Sequence, residues 1–208
     1  MNADEIMKKA SPIPTWLSDE EKLRLATMAM EVPPGGTIVE VGALYGGSTA
    51  LLALGQPEAA VYTYDDFSWS PIGDRPPASA GQLNRSLQDL GIRNVRIVEG
   101  DSRETGKLWQ GPIDLLWLDG GHSYEYIHAD LANFGPWAKR IACHDWQNPA
   151  WEPVTKAITD FLREHAEWRI GAVVDMLVEL WRPEPCWWIC GGRSHDRHNW
   201  PYGWHRRK

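Results

Sequence analysis

LLWLDGGHSY, residues 115–124, sets four apolar residues directly against an aspartate, two glycines and a histidine. A short, unbroken apolar run bounded by turn residues fits a strand covered on both faces, as in a parallel sheet. Ligands of such sheets bind beyond the carboxyl ends of the strands. Asp119 and His122 therefore arrive where this kind of fold leaves a crevice.

Other apolar runs end in the same way. TIVEVG (37–42), AVYTYDDF (60–67), VRIVEG (95–100) and RIACHD (140–145) read as strands closing at Gly42, Asp65, Asp101 after a short turn, and Asp145. Helical patterns separate them. SDEEKLRLATMAM (18–30) has Ser18 as N-cap and Glu21 at the capping-box position. A second helix begins near Ser48, and others cover 78–91, 123–135 and 153–166, the last opening on a proline suited to a first turn. WRIGAVV (168–174) and LVELWR (177–182) are late strands joined by a short turn. Strand and helix in alternation give an α/β fold, a mostly parallel sheet with helices on both faces.

The 208 residues suit one domain, expected over 1–183 with an N-terminal helix, plus a Trp/Cys/His-rich appendage at 184–208. An apolar content of 43% excludes wholesale disorder. The formal charge of −7 argues against a broad nucleic-acid surface, so no nucleic acid and a small-molecule partner are expected. No apolar stretch is long enough to cross a bilayer, and MNADEIMKKA lacks the apolar core of a secretory signal. Three cysteines make no disulfide scaffold, and a cytoplasmic location is expected. The thirteen tryptophans divide between core, pocket and partner surface, and a homo-oligomer is open.

The strand ends carry the chemistry. In EVGALYGGST, Gly42 permits a tight turn and close approach, while Gly46 and Gly47 leave room before a helix whose first amides can receive an anion. A plain tight turn is the simpler reading, and the spacing is not the dinucleotide GxGxxG. Asp65 can accept both hydroxyls of a ribose, with Asp66 one step farther out. Asp101 and Ser102 either meet an adenine amino group or cap the next helix. Asp119 can hold a metal or orient a substrate, and His122 can act as a general base. The alternative makes Asp119 a turn acid and Ser123 an N-cap. His144 and Asp145 close another strand, so Asp119, His144 and Asp145 are candidate ligands of a divalent ion or members of a polar network. Neighbours on a strand point to opposite faces, so His144 and Asp145 converge only if the strand has ended and turned. Cys143, beside them, reads as a small buried hydrophobe.

VEVGALYGGSTALLA, VYTYDDF, NVRIVEGDSRE, IDLLWLDGGHSYEYIHADL and IACHDW together resemble the successive motifs of class I S-adenosylmethionine-dependent methyltransferases. They are most similar to the small-molecule group with macrocin O-methyltransferase-like and cephalosporin-hydroxylase-like proteins. The resemblance spans roughly residues 35–182. It implies a Rossmann-like, seven-stranded fold with a reversed final strand, supplied by LVELWR. It implies that Glu40 and the loop of Gly42, Ala43, Tyr45, Gly46, Gly47 and Ser48 hold the methionine part of the cofactor. Asp65 and Asp66 lie at the ribose, Asp101 and Ser102 near adenine, and Asp119 and His122 beside the cofactor. It further implies a divalent ion, usually Mg2+, at Asp119, His144 and Asp145, with His144 standing where the family more often has an acid. The expected reaction is O-methylation of a small hydroxylated acceptor, with Asp119, His122 and His144 as catalytic groups.

Other sequence features leave options open. Residues 67–78 can form a lid in which Trp69 stacks and Arg75 meets an acid, or Trp69 simply packs. Cys186, Cys190, His195 and His198 are chemically suitable zinc ligands at an unfamiliar spacing, and Trp200, Tyr202 and Trp204 can cover a sheet edge or a second subunit. Two rival functions are a non-catalytic cofactor-binding domain and an NAD-dependent dehydrogenase; the glycine spacing and the acids argue against the latter.

Overall fold

The computed structural model describes residues 1–69 and 77–183. Seven strands form one sheet: β1 (Thr37–Val41), β2 (Ala60–Asp65), β3 (Val95–Glu99), β4 (Leu115–Leu118), β5 (Arg140–Cys143), β6 (Arg169–Val174) and β7 (Leu177–Trp181). Their spatial order is β3-β2-β1-β4-β5-β7-β6. The first five run parallel, and β7 lies antiparallel to both β5 and β6. LVELWR is thus the reversed strand, as the resemblance implies. Helices α1 (Ala3–Ala10), α2 (Asp19–Met30), α3 (Gly47–Gly55), α4 (Ala80–Asp89), α5 (Ser102–Thr105), α6 (Tyr124–Phe134) and α7 (Glu152–Glu164) complete the chain.

The unbroken apolar runs are explained by two cores. Ile38, Leu115 and Trp117 face a cluster with Leu25 and Met28 of α2 and Leu51 of α3. Their neighbours Val39, Leu116 and Leu118 face the opposite cluster with Ile127 and Phe134 of α6 and Ile158 of α7. Successive side chains alternate sides, so a strand buried on both faces cannot show polar alternation. Burial at roughly 25 cal/mol per Å² of apolar surface makes this layering the main source of stability.

The helix signals hold where they were strongest. Ser18 caps α2, and Glu21 reciprocates by accepting the Ser18 amide at 2.8 Å. The helix at 123–135 stops at Phe134, before the Gly135–Trp137 3-10 turn. Ser123 occupies the N-cap position of α6 but makes no capping bond; its hydroxyl donates to Glu125 instead. Helix α1 was not read from the sequence, although Asn2 and Glu5 form a complete capping box.

The register fixes the site. Tyr64, Val41, Leu118 and Cys143 lie in one row across β2, β1, β4 and β5. The next residue on each strand is Asp65, Gly42, Asp119 and His144. The ladder continues into that row, since the amides of Gly42, Asp119 and His144 donate to Tyr64, Val41 and Leu118 at 2.9, 2.9 and 3.0 Å.

Candidate active site at the carboxyl edge of the sheet

Gly42 closes the centre of this row. Its φ is +95°, and a Cβ there would stand 2.0 Å from the Asp119 carbonyl oxygen. The glycine therefore lets the β1 and β4 loops touch; the close approach is to the protein's own backbone. Gly46 has φ +97° and faces the Leu83 side chain, whereas Gly47 faces Pro14 and Thr15. Among the described residues no side chain caps α3 at Gly46, and helix starts of this kind can receive an anion. Ser48 and Thr49 turn back instead, and together with Thr63 donate to Glu40 at 2.6 Å each. Glu40 is fully buried. Burial raises its pKa to about 7 against those three donors. It braces the loop from below; Ala43 and Tyr45 are buried within that loop.

Asp65 anchors the loop from the side. Its two oxygens accept the amides of Leu44 and Phe67, both at 2.7 Å. Burial raises its pKa despite these bonds. The Ala43 amide is a third donor to the carboxylate, which has about four acceptor sites in all, so room for the expected ribose contact is left. Asp66 is exposed and accepts the Ser68 amide. Asp101 caps α5 through the Arg103 amide, and the Arg103 guanidinium holds both its oxygens. Ser102 is buried beneath it. The capping reading of Asp101 is thus realised, and Arg103 already engages both of its oxygens.

The third group lies at the ends of β4 and β5. Asp119, His144 and Asp145 each turn one donor atom into a common volume, all within 4.8 Å of one another. Alternation sends Asp119 and His144 to the α2 side of the sheet. Asp145 joins them because β5 ends at Cys143 and Asp145 takes φ +59°. Cys143 points into the opposite core, where burial pushes its thiol pKa well up. Two carboxylates and an imidazole fit a divalent ion; the imidazole nitrogen suits a first-row transition ion better than magnesium, which favours oxygen.

His144 and His122 have different surroundings. His144 is 7% exposed, with Nδ1 at 3.3 Å from Asp119 and 3.5 Å from Asp145 and Nε2 at 3.2 Å from Glu21. Burial lowers its pKa, but the nearby carboxylates of Asp119, Asp145 and Glu21 outweigh that and push it up to about 12. A proton or a metal cation here answers the same cluster of carboxylates. His122 is more open. Its Nε2 lies 2.9 Å from Asp145, and its ring stacks on Trp151 at 4.5 Å and 19°. The Asp145 carboxylate also accepts the Asn148 side-chain Nδ2–H at 2.6 Å. Burial raises the Asp145 pKa, yet His122, His144 and Asn148 bring it far below the carboxylate range.

The sequence reading missed Glu21, Asn148 and Trp151 as members of this site. Glu21 was visible only as a cap, which uses one of its two oxygens. Trp69 and Trp16, both exposed, meet edge-on at 5.0 Å. Arg75 and the segment 184–208, with Cys186, Cys190, His195, His198, Trp200, Tyr202 and Trp204, lie outside the described residues. Among the described residues no helix is long and apolar enough to cross a membrane.

Comparison with known proteins bears on the fold and the family. A family model described as a methyltransferase domain matches residues 39–146, from β1 to the turn after β5. No curated protein matches the chain. The O-methyltransferase NovP superposes with a TM-score of 0.64 at 16% identity, over 88% of this chain and 79% of that one. The S-adenosylhomocysteine-bound methyltransferase PaMTH1 of Podospora anserina gives 0.61 at 17%, over 88% of each chain. An rRNA methylase from Streptococcus thermophilus gives 0.60 at 14%, over 82% of this chain and all of that one. At these identities the likeness is one of fold. The motif series, the strand order and the matched model together mean that this chain belongs to the methyltransferase-domain family, the class I enzymes that depend on S-adenosylmethionine.

Proposed function

We propose that the chain catalyses O-methylation of a small hydroxylated molecule, a phenol or a sugar, at the mouth formed by Asp119, His122, His144 and Asp145. The observation that carries this reading is the 2.9 Å pairing of His122 Nε2 with Asp145 beside the Asp119–His144–Asp145 cluster. With its Nε2–H donated to Asp145, His122 presents Nδ1 as a proton acceptor. His144 is unsuited to that task, because it is buried and both ring nitrogens face carboxylates. The formal charge of −7 favours a small acceptor over an RNA.

S-adenosylmethionine supplies an electrophilic methyl carbon and a neutral thioether leaving group. The α3 start and Asp65 would hold it so that the methyl faces the acceptor; alignment is worth much of the rate. Asp119, His144 and Asp145 would hold a divalent ion, magnesium by resemblance or manganese by donor type. Such an ion lowers the pKa of an acceptor hydroxyl. His122 takes the hydroxyl proton at Nδ1, and Asp145 steadies the imidazolium that results. The exposed Trp16, Trp69 and Trp151 offer ring faces to a cyclic acceptor.

The test is mass spectrometry of a panel of phenols and sugars with S-adenosylmethionine, with and without EDTA. A product heavier by one methylene, lost on chelation and restored by Mn2+ or Mg2+, is the expected result. Transfer undiminished by EDTA removes the metal. Cofactor binding by calorimetry without transfer to any hydroxyl favours a binding domain, and methylation of rRNA fragments instead removes the small acceptor.

A further inference from the structure

Glu21 is the third residue of α2 and is 1% exposed, an unusual burial for the acid of a capping box. The cap needs one oxygen: Oε2 accepts the Ser18 amide at 2.8 Å, while Ser18 Oγ accepts the Glu21 amide at 3.2 Å. The other oxygen is turned into the protein. Oε1 accepts the Met176 amide at 2.9 Å and stands 3.2 Å from His144 Nε2. A buried carboxylate is costly unless it is paired, so this placement calls for a charge or a donor on the His144 side.

The opposite edge of the same ring faces the cluster, with Nδ1 at 3.3 Å from Asp119 Oδ1 and 3.5 Å from Asp145 Oδ2. His144 therefore stands between the two carboxylates at the strand ends and the single carboxylate of α2. Its Nε2 is buried, and the Glu21 oxygen, though near, lies off the line of a well-formed hydrogen bond. Metal-bound histidines generally donate their second ring N–H to a carboxylate, which fixes the tautomer and raises the basicity of the ligating nitrogen.

We infer that Glu21 is a positioning residue of the metal centre: it receives the Nε2–H of His144 so that Nδ1 is presented, as a lone pair, to an ion shared with Asp119 and Asp145. The inference rests on the metal reading above. It makes the first turn of α2 part of the centre, although the family match begins only at residue 39.

The experiment measures Mn2+ affinity of the full chain by calorimetry and by loss of the free-ion EPR signal. Glu21→Gln preserves the cap, because glutamine also serves in a capping box. It should weaken Mn2+ binding about tenfold or more, within the range for loss of such a partner. Glu20→Gln, an exposed acid one residue away, should leave the affinity unchanged. Equal affinity in wild type and Glu21→Gln overturns the role of Glu21 and leaves the metal reading intact. No Mn2+ binding by the wild type at millimolar concentration overturns both. A measurement on the unaltered chain guards against misfolding of the variant: 15N NMR of His144 with saturating Zn2+ should show the proton on Nε2, and a proton on Nδ1 overturns the inference.

Discussion

His122 Nε2 and Asp145 Oδ2 stand 2.9 Å apart, although one residue follows β4 and the other follows β5. The pairing exists because two adjacent parallel strands end at the same level and each chain then turns toward the other. Asp145 is fixed in turn by Asn148, and the His122 ring by Trp151. An imidazole held this way has one nitrogen committed to Asp145 and one ring face set by Trp151. His122→Asn is expected to lower kcat by about 10²- to 10⁴-fold with little change in KM, the usual worth of a positioned general base. Kinetics on an acceptor from the panel would check it.

Trp151 is 41% exposed, so its removal should spare the fold. Trp151→Ala is expected to shift thermal stability by less than about 1 kcal/mol while reducing kcat, because His122 loses the face that holds its ring. A melting curve and a rate measured on the same sample separate the two effects.

The cluster around His144 should be sensitive to loss of its cation. His144→Gln leaves Glu21, Asp119 and Asp145 facing one another without the imidazolium. A destabilisation of about 3 kcal/mol or more is expected, the scale for orphaning buried charges. Urea unfolding would measure it, and Mn2+ should restore part of the loss if the two acids of the sheet hold the ion.

Gly42 and Gly91 both have positive φ, at +95° and +73°, but only Gly42 is crowded; nothing lies within 4 Å of a Cβ at Gly91. Gly91→Ala is expected to cost about 1–2 kcal/mol from backbone conformation alone. Gly42→Ala adds the collision with the Asp119 carbonyl and should exceed about 3 kcal/mol or prevent folding. The contrast in melting temperature between the two variants is the check.

Glu40 supplies a pH dependence. Its folded pKa is raised to about 7 from an ordinary 4.5. Between those values the folded state binds more protons than the unfolded chain, so stability falls as pH rises through this window. The full penalty for the ionised carboxylate, on the order of 3 kcal/mol, is present above pH 7. Glu40→Gln should flatten the decline, and denaturation curves at pH 5 and pH 8 would reveal it; an equally steep decline in the variant would remove Glu40 as its source.

The fold was legible because its central strands β1, β4 and β5 are buried on both faces and therefore appear as plain apolar runs, and because acids and glycines mark where the runs end. Asp65 and Asp119 followed from that rule, since the register brings the strand ends level. Asp145 was named by the same rule, and its convergence with His144 required the strand to end and turn, which its positive φ provides. Glu21 was hidden by its own capping box: the pattern explains the residue locally and says nothing of a second oxygen aimed across the fold. Trp151 and Asn148 sit in a 3-10 turn and its cap, where no periodicity announces a side chain's direction. Helix α1 was overlooked because its charged stretch buries only Ile6 and Ala10.

The tight turn joining β6 to β7 grips the first turn of α2. Asp175 accepts the Ser18 hydroxyl at 2.5 Å, the Met176 amide donates to Glu21, and the Met176 carbonyl accepts from Trp146. Synthesis proceeds from the N-terminus, so a nascent chain carries Glu21 long before Met176 has emerged from the ribosome. Until then that carboxylate lacks one of its clamps, so the buried cap of α2 gains its full set of hydrogen bonds only once the last hairpin of the sheet has been made.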